Sequence, residues 1–288
     1  MAAECRARGV ELRVGVGVER VLVERGRAAG VALANGEVVA AKRVVANVTP
    51  KVLFERLVAP EHLPVDFRAR IAGYRCGSGT FRMNVALSEL PDFRALPGRN
   101  AQPHHSSGII VAPSLGYMER AYFDAKLHGW SREPIVEMLI PSIVDDSLAP
   151  RGMHVASLFC QHANPQLPGS ASWDDCKEEV ADLMLDTVGR YAPGFRASVI
   201  ARRSLSPLDL EREFGLIGGD IFHGQLTLDQ LFSARPVLGH GNYRGPLKGL
   251  YMCGAGTHPG GGVTGVPGHN AAQEILRDAR RLRSFPKG

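Results

Sequence analysis

The chain is short of cysteine. Five stand in 288 residues, at Cys5, Cys76, Cys160, Cys176 and Cys253, and no two form C-x-x-C. An odd, widely spaced set excludes a dithiol redox centre of the thioredoxin type and points to reduced thiols. Long apolar runs are missing too: none approaches the roughly 18 residues of a membrane span. The first residues, MAAECRARGVELRV, lack the apolar stretch of a signal peptide. The expectation is a cytoplasmic protein with no membrane span. His104, His105, His154 and His162 do not fall at ligand spacings beside cysteine or acids, so no metal site is expected. Without G-x-S-x-G, H-E-x-x-H or G-x-x-x-x-G-K-[ST], hydrolase and NTPase readings fall away. The net charge of +5 is scattered. Its densest group, Arg277, Arg280, Arg281 and Arg283, fits a solvated helix face and not a nucleic-acid surface.

What is present is a core and one stretch of concentrated glycine. Hydrophobic residues make up 44% of the chain, enough for one large domain or two modest ones. Within Gly249–Leu276, the apolar Leu250-Tyr251-Met252-Cys253 reads as a buried strand. Glycines then stand at 254, 256, 260, 261, 262, 265 and 268, before an amphipathic helix. Glycine loses the most backbone freedom on ordering. Such a cluster is therefore either a plain surface loop or a place where something approaches the backbone closely. The N-terminus of the following helix offers free N–H groups and partial positive charge. Gly260, Gly262 and Gly265 formally satisfy G-x-G-x-x-G. That fingerprint also needs a tight strand-to-helix turn and a second strand bearing an acid about 20 residues on. Here the strand ends early and the chain stops soon after the helix. Gly15-Val16-Gly17 is followed by Arg20, not glycine, at the third position. The chain carries no primary dinucleotide fingerprint.

The string GLYMCGAGTHPGGGVTG resembles the C-terminal flavin-contacting segment of the phytoene desaturase-like FAD oxidoreductases, within the amine-oxidase type of fold. The stretch Ser206–Pro246, containing PLDLEREFGLIGGDIFHGQLTLDQLFSARP, is similar to the phytoene-dehydrogenase-related branch called pyridine nucleotide-disulfide oxidoreductase domain-containing protein 2. The resemblance is weak along the whole chain and strong near its end. It implies an α/β (α+β) chain: an incomplete FAD-binding domain of Rossmann type, plus a mixed-sheet substrate domain. The implied division is 1–60 for the second half of the FAD-binding domain, 61–233 for the substrate domain, and 234–288 for the return to the first. The unit with the glycine fingerprint should precede Met1, in a longer protein or a separate chain.

The order along the chain fits. Residues 1–9 read as the tail of a helix. Glu11–Val16, Val18–Glu24, Ala28–Ala34 and Glu37–Ala40 are β-branched runs, with a hairpin signal at Asn35-Gly36. Arg43–Ala46 is a brief strand, and Thr49-Pro50 caps and opens a helix. Further helices are expected over 67–74 and 117–130, and strands over 134–140, 154–162 and 197–204. In Gly79–Leu87 the residues Phe81, Met83, Val85 and Leu87 share one strand face. Trp173–Tyr191 has apolar residues at helical spacing, and Ser172 with Asp175 resembles a capping box.

The resemblance implies FAD as cofactor and a small apolar or amphipathic organic substrate. It places cofactor contacts at Val18, Gly254, Ala255, Gly256, Thr257, Gly261, Gly262, Val263, Thr264 and Gly265. Among these, the Val263 N–H faces the flavin O2 edge, and Gly254 and Ala255 pass the ribityl-phosphate. No acid or base is fixed by the motifs. His258 and His223 are candidates, and either histidine could equally be structural. Asp229 and Arg235 could pair across the domain boundary. The competing reading is a non-enzymatic remnant or partner-binding subunit with little or no flavin, whose meander would expose a sheet edge.

Overall fold

Short antiparallel strands open the chain because β-branched residues alternate with tight turns. In this computed structural model, residues 1–77, 79–98 and 100–284 are described, with side chains to Arg281; that of Arg283 lies outside the described residues. Helix α1 (Ala2–Ala7) precedes β1 (Val18–Glu24), β2 (Arg27–Leu33) and β3 (Val38–Ala40), which form a three-stranded meander. Asn35-Gly36 makes the β2–β3 turn, with Gly36 at φ +87°. Glu11–Val16 is coil rather than a strand. Its alternation finds no ladder: Val14 is exposed, while Arg13 pairs with Glu11 and Glu37 at 2.6 and 2.5 Å. β-propensity reports fit to a half-buried sheet surface, and coil results where that surface is missing.

Strand β4 (Val44–Ala46) leads into a helical turn that Thr49 caps, its Oγ1 accepting from the Val52 N–H at 3.2 Å. The turn continues as a π-helix over Val52–Leu57, which buries Leu53 and Phe54. Helix α2 (Val65–Ala72) adds Phe67 and Ile71 to the same core.

The second compact unit, 76–221, is built on one five-stranded sheet. Its elements are β5 (Phe81–Leu87), β6 (Ile109–Val111), α3 (Leu115–His128), β7 (Trp130–Leu139), β8 (His154–Ala163), α4 (Trp173–Tyr191), α5 (Phe195–Ser198), β9 (Val199–Leu205) and α6 (Pro207–Phe214). The strand order is β6-β7-β8-β5-β9. Every pairing is antiparallel, where the sequence led to a mixed sheet. Phe81, Met83, Val85 and Leu87 are all buried at 1% exposure or less. Val180, Met184 and Val188 of α4 belong to the same buried cluster. Ser172 does cap α4, but through the Asp174 N–H at 3.2 Å, one position short of the expected box. A true capping box forms at α6 instead, between Ser206 and Asp209.

The chain then returns to the first unit, 1–75 with 222–288. Strand β10 (Leu250–Met252) pairs in parallel with β4, and α7 (Val266–Ser284) follows. The unit boundaries differ from 60 and 233. Phe67 and Ile71 bind the 61–75 segment into the first core, and Tyr74 OH donates to His223 O at 2.9 Å, which keeps 222–233 there too.

Burial holds three histidines of the second unit below their ordinary value: His104 and His154, each with His105 nearby as a lesser cause, and His162 by burial alone. The unfolded chain then binds more protons than the folded one below about pH 6.5, so stability is full above that value and falls as pH drops through the lowered values. Thermal unfolding should show a midpoint that declines as pH falls from about 6.5 to about 5, with His162→Gln flattening the decline. A level midpoint over that range would contradict it.

Candidate functional site

Strand β10 is fully buried and ends where the Cys253 N–H donates to the Ala46 carbonyl at 3.0 Å. The chain beyond it has two textures. From 254 to 261 it is packed into the unit, except at the exposed Pro259. A Cβ on Gly254 would collide with the Asn47 side chain. One on Gly256 would lie 2.5 Å from Pro50 Cδ, and one on Gly261 would collide with the Phe222 ring. Thr257 is 1% exposed, and its hydroxyl donates to the Gly254 carbonyl at 2.8 Å, closing a turn. From 262 to 265 the chain is open: Gly262, Val263, Thr264 and Gly265 are all exposed, Val263 completely. Val263 stands at φ +55°, a rare conformation for a β-branched residue, between Gly262 at +117° and Gly265 at +73°. Thr264 Oγ1 accepts from the Val266 N–H at 3.2 Å, capping α7.

The loop is fastened from below by Arg235. This guanidinium is 0% exposed and has no carboxylate partner among the described residues. It donates instead to carbonyls: Ala255 at 2.7 and 3.0 Å, Phe222 at 2.7 Å, Gly224 and Gln230 at 3.2 Å, and Gln225 at 3.4 Å. Five carbonyl dipoles thus satisfy the planar fork of donors. The expected Asp229–Arg235 pair does not form. Asp229 is exposed and takes Arg75, at 2.7 and 2.8 Å, while Arg235 points inward. Sequence reasoning missed this cage. Its one signal was an arginine within the mostly apolar Leu231–Pro236.

Both candidate histidines are half-buried. The His258 carbonyl accepts from Tyr243 OH at 2.9 Å, and its ring lies 6.0 Å from that of Phe232. His223 sits at φ +59° with its carbonyl taken by Tyr74. Val18 is exposed at the start of β1, opposite Leu33, on the meander's outer strand. Helix α7 is anchored to β10 by Asp278, which accepts from Tyr251 OH and from Arg244, all at 2.9 Å. The Arg244 guanidinium holds the Asp278 carboxyl below its ordinary value.

No protein-family model matches the chain. Over 288 residues it is 42% identical to pyridine nucleotide-disulfide oxidoreductase domain-containing protein 2 of Rattus norvegicus, covering 98% of this chain and 50% of that protein. It is 26% identical to phytoene desaturase (neurosporene-forming) of Cereibacter sphaeroides, over 98% of this chain and 52% of that one. The chain is related to the phytoene desaturase-like oxidoreductases. It spans about half the length of the curated relatives it matches. A triple mutant of putrescine oxidase, made in a redesign of its cofactor binding, superposes at a TM-score of 0.53 with 14% identity, over 96% of this chain and 51% of the enzyme. The fold is thus α+β, like part of that amine oxidase.

The loop therefore has an open and a closed half. Gly262–Gly265 are exposed, as is Val18. Gly254, Gly256 and Thr257 are buried, with protein atoms close against both glycines. Among the described residues no helix is long and apolar enough to cross a membrane, and no cluster could hold a metal ion.

Proposed function

We propose that this chain is the C-terminal part of an FAD-dependent oxidoreductase that dehydrogenates an apolar or amphipathic organic substrate. The observation that carries this is the strand–loop–helix Leu250–Ser284, whose exposed main chain at 262–265 lies just before a capped helix, in a chain 42% identical to an oxidoreductase-domain protein. When bound, FAD would supply the two-electron acceptor. The chain's own part is to hold it: the N–H of Val263 and the start of α7 would face the flavin's electron-rich edge, where partial positive charge favours the reduced ring. Gly261, Gly262, Thr264 and Gly265 would line that edge, and Val18 would meet the adenine. Gly254, Ala255, Gly256 and Thr257 would shape the loop from behind, with Ala255 held by Arg235. His258 and His223 remain the candidates for proton transfer. The reading includes a cytoplasmic setting.

The pyrophosphate-binding glycine fingerprint is not in this sequence, so a longer protein or a separate chain would supply it. The purified 288-residue chain is therefore expected to be nearly colourless near the visible flavin bands. It should gain that absorbance when co-expressed with a polypeptide bearing a strand and G-x-G-x-x-G. A bright yellow chain by itself would refute the division of labour. A second reading, a partner-binding subunit without flavin, is favoured by the packing of Gly254, Gly256 and Gly261 under Asn47, Pro50 and Phe222. It predicts that the co-expressed complex forms and stays colourless.

A further inference from the structure

The second unit contains a cavity of about 730 Å³ that none of the preceding chemistry uses. Its floor is apolar: Phe93 and Val111 are 8% and 6% exposed. Leu96 and Ile110 rise beside them, exposed at 55% and 62%. The walls are fixed by backbone. The Arg94 N–H donates to the Tyr191 carbonyl at the end of α4, at 2.9 Å, and Leu96 N–H to Phe93 O at 3.0 Å. Ile110 belongs to β6, the outer strand of the five-stranded sheet.

Two arginines, Arg94 and Arg190, belong to the same lining. Arg94 has no carboxylate partner among the described residues. Arg190 has a loose one, with Nη1 3.6 Å from Glu133 Oε1 and both side chains about half exposed. So weak a surface pair leaves Arg190 available to another anion. A third lining residue, His104, keeps its Nε2 buried with no hydrogen-bond partner among the described residues. A buried unpaired polar atom calls for a physical explanation, and a polar atom entering the cavity would provide one.

We propose that this groove binds an amphipathic carboxylate: an aliphatic body on the Phe93–Val111 floor and its anionic end between Arg94 and Arg190. The cavity lies within the range of about 300–1,000 Å³ typical of small-molecule sites. Its chemistry, apolar body against apolar floor and one negative end against two planar donors, selects such a ligand over a neutral hydrocarbon. The proposal stands on the second unit alone and does not rest on flavin binding.

The test is calorimetric titration of the 288-residue chain with decanoate, below its micelle concentration, beside 1-decanol. Saturable one-to-one binding of decanoate is expected, at least tenfold tighter than that of decanol. The double variant Arg94→Glu with Arg190→Glu should weaken decanoate at least tenfold and leave decanol unchanged. Ile110→Asp, placing a charge on the exposed apolar wall, should weaken both; melting curves would establish that each variant folds. Absence of saturable binding would overturn the proposal. So would binding indifferent to all three substitutions, or a chain whose groove is closed by self-association in sedimentation.

Discussion

Replacing Arg235 with methionine is expected to destabilise the first unit by about 3–5 kcal/mol, the range seen when a buried charge network loses one partner. The side chains are similar in length, so the loss is mainly of donors rather than of volume. Five carbonyls, those of Phe222, Gly224, Gln225, Gln230 and Ala255, would be left in a site where the guanidinium is 0% exposed. Each buried acceptor left unpaired costs about 1–3 kcal/mol, offset by no longer having to bury a cation. Arg235→Lys should recover only part of the loss. One ammonium with three donors cannot span carbonyls that the planar fork reaches on several sides. Urea unfolding of the two variants decides this: a loss below about 1 kcal/mol for methionine, or full recovery by lysine, would show that the cage contributes little. The consequence for the loop is local. Because two of the six bonds hold Ala255, methionine should also raise hydrogen exchange at Gly254–Thr257 more than in β10.

How much of this was legible in the sequence depends on the range of the interaction. Strand β1 and helix α4 appear with the ends that periodicity gave them, since each is set by its own alternation and by turns or caps within a few residues. Phe81, Met83, Val85 and Leu87 were legible for the same reason: alternation puts them on one face whatever covers it. Glu11–Val16 was misread because a strand needs a neighbour, and alternation says nothing about whether one is present. The parallel pairing of β4 with β10 joins residues about 200 positions apart and could come only from the family resemblance. At the candidate site, glycine density located the loop. It could not divide it, because the halves differ only in what lies against them: Asn47, Pro50 and Phe222 on one, solvent on the other. Arg235 was misassigned through a sound but weak rule, that an arginine near an aspartate pairs with it. The competing attraction, a nest of main-chain carbonyls, leaves no mark on residue identities.

Truncating Phe81 to alanine is expected to cost about 3–5 kcal/mol, the range for deleting a buried aromatic ring. Phe81 is 0% exposed at the start of β5, the strand flanked by β8 and β9. It pairs across the ladder with Cys160, also fully buried, and its ring centroid lies 5.9 Å from that of Trp173. Trp173 cannot swing into the vacated space freely. It opens α4 directly after the Ser172 cap, and its Nε1 donates to the Asn164 carbonyl at 2.9 Å. The cavity therefore persists, and the cavity penalty adds to the lost transfer energy. The internal control is three residues along on the opposite face. Asn84 is exposed in the same strand, and Asn84→Ala should stay within about 0.5 kcal/mol of the parent. Burial also pushes the Cys160 thiol well above its usual value, so it should resist alkylation in the folded chain and become reactive once Phe81→Ala loosens its cover. Comparable losses for the two substitutions in urea unfolding would mean that the alternation in β5 does not mark the core face of this sheet.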